Sequence, residues 1–330
     1  MPLTARAVRI TQPGAPEVLA LGTLEVRDPG PTEVRVAIRA AGLNRADCLQ
    51  RRGVYPAPPG VVADVPGLEY AGEVESVGSE VTRHKVGDRV MAIAAGGSMA
   101  THLVAHEDEV CPVPAELSIE QAAAVPEVFM TAYDALVLQG GLAMGQYALL
   151  HAAASGVGTA AVQLCLAMGA IPIGTSRKAE KLEALRHLGL RHAIVPDAGS
   201  FAGAVREATG GRLADVVLDT VGAKYLSENI KAVAPGGRIV VIGLLGGAKA
   251  ELPLGLLVAK RIQLQGSVLR SRKLDEKIAL TRAFERAVVP LLARGTLKPV
   301  VADVMPMEKV GEAHQRMESD DLVGKLVLRW

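Results

Sequence analysis

The sequence predicts an α/β protein in which a doubly wound parallel sheet domain is inserted into a β-rich domain. Three observations carry this. From residue 146 onward, apolar β-branched runs alternate with helix-period segments, the pattern of a parallel sheet with helical crossovers. A turn of small residues at 153–158, Ala-Ala-Ser-Gly-Val-Gly, joins the first of these strands to a helix. Such a turn brings backbone N–H groups to a pyrophosphate at a helix N-terminus. Before residue 120, short alternating strands are separated by Pro and Gly clusters, as in a compact barrel-like β domain.

The early strands are read at 7–10, 19–26, 33–40, 68–77, 88–93 and 101–105. Ser118 then caps an Ala-rich helix over 119–124, and Pro126 opens a second helix reaching residue 136. Strand 146–152 leads through the turn into a helix over 159–168, which stops at Gly169 and is followed by strand 170–174. Further strands are expected at 192–195, 214–219, 238–242 and 262–268, with helices at 180–188 and 201–208. The chain is helical again over 274–294 and ends in a strand, 325–330, whose natural host is the N-terminal β domain. The β-rich domain is therefore assigned residues 1–122 and 270–330, and the dinucleotide domain residues 123–269.

Composition narrows the function. Apolar residues are 49% of the 330, aromatics 3%, and glycines number 35, which suits an α/β enzyme and argues against disorder. With 36 basic and 35 acidic residues the net charge is +1, so nothing advertises nucleic acid or membrane as a partner. No apolar run reaches the roughly 20 residues of a membrane span, and residues 1–10 lack the apolar block of a signal peptide. A cytoplasmic protein is expected. Cys48, Cys111 and Cys165 are an odd number at wide spacing, with no disulfide framework and no metal-binding pair.

In Gly-x-Gly-x-x-Gly register the turn offers Ala153, Ser155 and Gly158, so only the third glycine is kept, with Gly156 extra. The second strand strengthens the reading. NAD enzymes usually place an acid at its end for the ribose 2′-hydroxyl. Here no acid lies between Ile171 and Ala179, while Arg177 and Lys178 would attract a 2′-phosphate. NADP(H) is expected over NAD(H).

Several blocks carry a family resemblance: AAGLNRAD at 40–47, GVYPAPPG at 53–60, PGLEYAG at 66–72, VGDRV at 86–90, QAAAVPE at 121–127 and HAAASGVGT at 151–159. IGLLGG at 242–247 and SVLRSR at 267–272 follow in order. Across the whole chain these resemble the medium-chain dehydrogenase/reductase superfamily, and within it the zinc-free, zeta-crystallin-like quinone oxidoreductases of the tumour-suppressor-induced branch. The resemblance implies a GroES-like catalytic domain and a Rossmann NADP(H)-binding domain. Zinc alcohol dehydrogenases of the superfamily carry Cys where this chain has Asn44, and His where it has Leu68. Without those ligands a catalytic zinc is not expected. Glu69 is read as a buried carboxylate with a structural partner.

The resemblance also implies roles. Asn44 would lie near the nicotinamide and donate to the acceptor oxygen; it also suits the cap of a helix over 45–51. Tyr55 would contact a quinone ring. Thr131 would meet the nicotinamide side, and Ser155, Gly156, Val157 and Gly158 the pyrophosphate. Thr175, Ser176, Arg177, Lys178 and Lys181 would surround the 2′-phosphate. Gly243, Leu244 and Leu245 would cover the nicotinamide ribose, and Arg270 would close the cleft from the returning segment. The family's adenine-side tyrosine is replaced by Pro196. His102 and His106 are read as structural, and His151 as lying inside its strand with no acid nearby for a triad.

The implied reaction is hydride transfer from NADPH to a quinone or other conjugated carbonyl, with the last proton drawn from solvent. The alternative enzyme reading is NADPH-dependent reduction of the C=C bond of a 2-enal, enone or enoyl thioester. The alternative outside catalysis is an NADPH-binding crystallin-like or RNA-binding protein. A homodimer paired through edge strand 262–268 is expected from the resemblance.

Overall fold

The computed structural model describes residues 3–330. The chain forms two compact units: one runs up to Met130 and resumes over Leu269–Trp330, and the other is Thr131–Val268. In chain order the first unit contributes β1 (Leu3–Ile10), β2 (Leu19–Val26), β3 (Glu33–Leu43), β4 (Glu69–Val77), β5 (Arg89–Ile93), β6 (His102–His106) and β7 (Val110–Pro112). The second contributes β8 (Tyr147–Leu150), β9 (Ile171–Thr175), β10 (His192–Ile194), β11 (Ala214–Asp219), β12 (Val233–Val241) and β13 (Gln263–Gly266). The returning segment adds β14 (Val301–Pro306) and β15 (Lys325–Arg329) to the first unit. Among the described residues no helix is long and apolar enough to cross a membrane.

In the first unit β1 and β2 pair antiparallel, and a larger sheet runs β14-β15-β3-β4-β5-β7 with β6 also on β3. The last strand is therefore interior. It pairs antiparallel with β3, Leu326 opposite Leu43 and Leu328 opposite Ala41, and parallel with β14. Its run Lys-Leu-Val-Leu is buried. The alternation of β3 explains why: Val34, Val36 and Ile38 pack with Tyr70, Val74 and Val90, while Ala41 and Leu43 join Leu326 and Leu328 in another cluster. A strand with both faces covered must lie inside a sheet.

The second unit is a parallel sheet in the order β10-β9-β8-β11-β12-β13, the doubly wound arrangement. The order in which strands are added reverses between β8 and β11, where such sheets bind ligands beyond the strand ends. The core is largely aliphatic, with Leu149, Ile173, Val217, Ile230 and Ile239 fully buried beside Phe201 and Tyr225.

Local departures from the expected elements have local causes. The helix expected over 274–294 is two helices, Leu274–Ala287 and Val289–Ala293, because Pro290 has no N–H to continue the ladder. The helix expected over 180–188 shortens to Ala179–Glu183 and a 3-10 turn Arg186–Leu188, ended by Gly189 at φ 92°. The helix after the small-residue turn begins at Gly156 instead of Thr159, since Ser155 caps it and so pulls the glycines into its first turn.

Candidate active site

Three chain segments far apart in sequence meet in the first unit. Asn44 follows β3 directly and stands in extended conformation at the cap position of the helix Arg45–Arg51. Its side chain does not cap that helix. Asp47 closes the helix start instead, one carboxylate oxygen accepting the Asn44 N–H at 2.8 Å and the other the Gly67 N–H at 2.9 Å.

The Asn44 amide turns toward Lys325 and Glu69. Lys325 Nζ donates to Asn44 Oδ1 at 2.7 Å and to the Leu43 carbonyl at 2.7 Å, and lies 2.5 Å from Glu69 Oε1. An ammonium only donates, so the amide oxygen must face it and the amide nitrogen must face elsewhere. Asn44 Nδ2 donates to Glu69 Oε1 at 2.9 Å and to the Gly42 carbonyl at 3.3 Å. Both amide hydrogens are thus engaged inside the protein. The expected donation from Asn44 to an acceptor oxygen would have to compete with these two internal contacts.

Glu69 is fully buried, and its second oxygen accepts the Glu127 N–H at 2.8 Å. The position depends on Gly42, where a Cβ would stand 2.3 Å from Glu69 Oε1 and 2.6 Å from the Ala123 carbonyl. The reading of Glu69 as a buried carboxylate with a structural partner corresponds to its pairing with Lys325.

Two acids beside this pair hold their protons unusually well. Burial pushes Asp47 up to about 6, against the opposing pull of its two backbone N–H groups. Glu127 keeps part of its residue surface open. Its carboxyl nevertheless sits among enclosing groups, and burial, then the charge of Glu69, pushes it up to about 8. At neutral pH Glu127 is mostly the neutral acid.

Arg270 is buried, at 4% exposure, and works as a clamp. Its Nε donates to the Ala95 carbonyl at 2.6 Å, one terminal nitrogen to Gln50 Oε1 at 2.5 Å and the other to the Tyr55 carbonyl at 3.2 Å. The guanidinium also lies over the Tyr55 ring, 4.9 Å from its centroid. Burial raises the Tyr55 phenol, with Arg270 opposing, so the hydroxyl stays a donor. The sequence reading missed Lys325, Glu127, Asp47 and Gln50. Asp47 and Glu127 lay within quoted motifs, at the ends of the blocks 40–47 and 121–127, without being singled out; Gln50 and Lys325 lay outside them.

The second unit holds the cradle. After β8, Ala152 takes a positive φ of 48° and the chain enters the helix Gly156–Ala167. Ser155 Oγ accepts the Gly158 N–H at 3.1 Å. A Cβ at Gly158 would stand 2.4 Å from the Ala153 carbonyl, so the tight helix–turn contact requires this glycine. Parallel pairing puts the ends of β8, β9, β11 and β12 on one edge. Ser155, Gly156, Val157 and Gly158 share that edge with Ser176, Arg177 and Lys178 and with Gly243, Leu244 and Leu245. The Leu245 N–H reaches the Thr220 carbonyl at 3.3 Å, and Leu244 and Leu245 are exposed at 56% and 61%. Thr131 is half-buried on the helix Pro126–Tyr133, and Lys181 is half-buried on Ala179–Glu183.

Two sequence expectations change here. Thr175 is 1% exposed and its hydroxyl faces His151 Nδ1 at 2.8 Å, so its side chain points inward instead of toward a cofactor. His151 lies just past β8 and does reach an acid, through Asn229 to Asp219.

The cradle fits a nicotinamide dinucleotide. It offers a capped helix N-terminus with a glycine at closest approach, basic side chains beyond β9, and the buried Thr220 hydroxyl, which has no hydrogen-bond partner among the described residues. Among the same residues no group of three or more His, Cys, Asp and Glu side chains is placed to hold a metal ion.

Comparison with known proteins agrees with this architecture. Residues 30–115 match the alcohol dehydrogenase GroES-like domain family and residues 156–285 the zinc-binding dehydrogenase family. A quinone oxidoreductase of Pseudomonas aeruginosa is 36% identical, the alignment covering 98% of this chain and 99% of that protein. The chain belongs to the quinone oxidoreductase family of medium-chain dehydrogenases/reductases. Among solved members of the family, the quinone oxidoreductase of Pseudomonas syringae pv. Tomato superposes with a TM-score of 0.87 at 31% identity, covering 99% of this chain and 100% of that one. The JamJ enoyl reductase, another solved relative, superposes at 0.88 with 25% identity and 99% coverage of each chain. A nicotinamide cofactor follows from membership.

Proposed function

We propose that this oxidoreductase uses NADPH to reduce a quinone and does so without zinc. The observation that carries the metal-free reading is the Lys325 ammonium bound to both Asn44 and Glu69. The Lys325 amine engages Asn44, which stands where zinc relatives carry a Cys ligand, and Glu69, the neighbour of Leu68, which stands where they carry a His ligand. When bound, the cofactor supplies the hydride. The protein orients the acceptor and supplies polarity. Tyr55, held from behind by Arg270, offers a flat apolar face and a hydroxyl that donates to an acceptor oxygen. Glu127 keeps a proton near Tyr55 at neutral pH. The choice of NADPH rests on Arg177 and Lys178 beyond β9, with no acid there.

The test is NADPH consumption with phenanthrenequinone and, in parallel, with a 2-enal. Turnover of the quinone supports the proposal. Turnover of the enal alone replaces it with the second reading, C=C reduction, which the superposition on an enoyl reductase favours. The non-catalytic reading, an NADPH-binding crystallin-like or RNA-binding protein, requires that neither substrate turns over.

We also propose a homodimer. β13 is exposed along its length and among the described residues pairs only with β12, and Leu254, Leu256 and Val258 are exposed on the preceding helix Leu254–Lys260. An open strand edge beside apolar side chains favours pairing across a two-fold axis. Sedimentation giving only monomer at micromolar concentration would rule this out.

A further inference from the structure

We propose that His151 and Asn229 form a positioning relay that ties the pyrophosphate turn to the basic cluster beyond β9 and thereby sets the preference for a 2′-phosphate. The inference rests on the reading of the cradle as an NADP(H) site.

The relay is a single chain of hydrogen bonds whose direction is fixed at one end. Asp219 ends β11, and its Oδ1 accepts the N–H groups of Val221 at 2.7 Å and Gly222 at 3.0 Å. Asp219 Oδ2 faces Asn229 at 2.9 Å, so the Asn229 amide nitrogen donates to it. Asn229 Oδ1 is then turned to His151 Nε2 at 2.6 Å, and an amide oxygen can only accept. His151 must therefore carry its proton on Nε2. Burial also holds the imidazole below its ordinary pKa, so the ring is neutral and Nδ1 has an open lone pair. Thr175 Oγ1, 2.8 Å away, donates into it. His151, Thr175, Asn229 and Asp219 are each at most 1% exposed. The phenyl ring of Phe201 and the phenol of Tyr225 pack edge-on against the imidazole with centroids 4.9 and 4.8 Å away.

The ends of this chain explain its use. His151 immediately precedes Ala152, the positive-φ residue that starts the small-residue turn. Thr175 is the last residue of β9, directly before Ser176, Arg177 and Lys178. The Thr175 carbonyl accepts the Ala153 N–H at 2.9 Å, so backbone and side chain both tie the turn to the end of β9. Tyr225, packed on His151, also lies within electrostatic reach of Arg177. A short buried polar network with every member partnered is stiff. It holds the pyrophosphate contacts and the basic side chains at one spacing, and the spacing matters most to a cofactor that touches both.

The experiment is titration of NADPH and NADH, by fluorescence, into the wild type, Thr175→Val, Thr175→Ser and His151→Gln, each shown by circular dichroism to be folded. Thr175→Val keeps the side-chain shape and removes only the last donor. Expected is a rise in the NADPH Kd of roughly tenfold, the size of one lost hydrogen bond, with a smaller rise for NADH. Thr175→Ser should restore the wild-type ratio of the two Kd values. In the protein without cofactor, nitrogen NMR should find His151 protonated on Nε2 alone. Equal rises for both cofactors in Thr175→Val, or a proton on His151 Nδ1, would overturn the relay while leaving the cofactor reading intact. A wild type that binds NADH as tightly as NADPH would instead overturn the cofactor reading, and the relay's role in preference with it.

Discussion

Lys325 Nζ lies 2.5 Å from Glu69 Oε1, and both side chains are almost wholly withdrawn from water, at 4% and 0% exposure. Burying two charges is expensive, and the pair persists because its remaining valences are filled: the ammonium by Leu43 and Asn44, the carboxylate by Asn44 and the Glu127 N–H.

Removing one partner leaves the other charge buried alone. Lys325→Met should lower unfolding stability by about 3–5 kcal/mol, read by urea denaturation. Lys325→Met with Glu69→Gln should recover much of that loss. A double variant as unstable as the single one would mean that packing, and not charge, makes Lys325 necessary.

Asn44→Ala separates two roles. With both amide hydrogens spent on Glu69 and Gly42, the substitution should cost stability, about 1–3 kcal/mol, and lower kcat by less than about tenfold. A donor aimed at developing charge would instead be worth roughly a hundred- to thousandfold in kcat. Steady-state kinetics on the folded variant decides between these.

Glu127 predicts a pH dependence. Its carboxyl is raised from the ordinary 4.5 to about 8, so the folded state binds the proton more tightly than the unfolded chain. That contribution to stability is complete at acid pH and is lost as pH rises through the window from 4.5 to about 8. Glu127→Gln should therefore flatten the fall in stability across this window. Denaturation midpoints measured across it give the comparison, and an unchanged slope would place the titration elsewhere.

Arg177→Ala with Lys178→Ala should raise the NADPH Kd more than about tenfold and leave the NADH Kd nearly unchanged, since only NADPH carries a 2′-phosphate for charge-assisted contacts. Equal losses for the two cofactors would argue against a 2′-phosphate site.

The cradle was more legible than the cluster of acids and lysine. Its parts lie close together in sequence, strand, small-residue turn, helix and basic cluster, and each follows from local rules: capping at Ser155, close approach at Gly158, strand termination before Ser176. The inward turn of Thr175 escaped that reading. The alternation of a strand says which residues share a face, but a strand buried on both faces has no outside to assign the hydroxyl to.

The sequence by itself determined the two-part α/β organisation, the position of the dinucleotide turn and the basic residues after the second strand, because periodicity, turn residues and charge act over a few positions. Tertiary structure alone decided that Lys325 meets Asn44 and Glu69, that Arg270 lies over Tyr55, and that His151 reaches Asp219 through Asn229. Those contacts join segments whose sequences carry no mark of one another. They exist because β15 enters the sheet beside β3, the segment after residue 268 returns to the first unit, and β8 and β11 meet where the parallel sheet reverses. Once buried there, polar groups must find partners among whatever the fold has brought near.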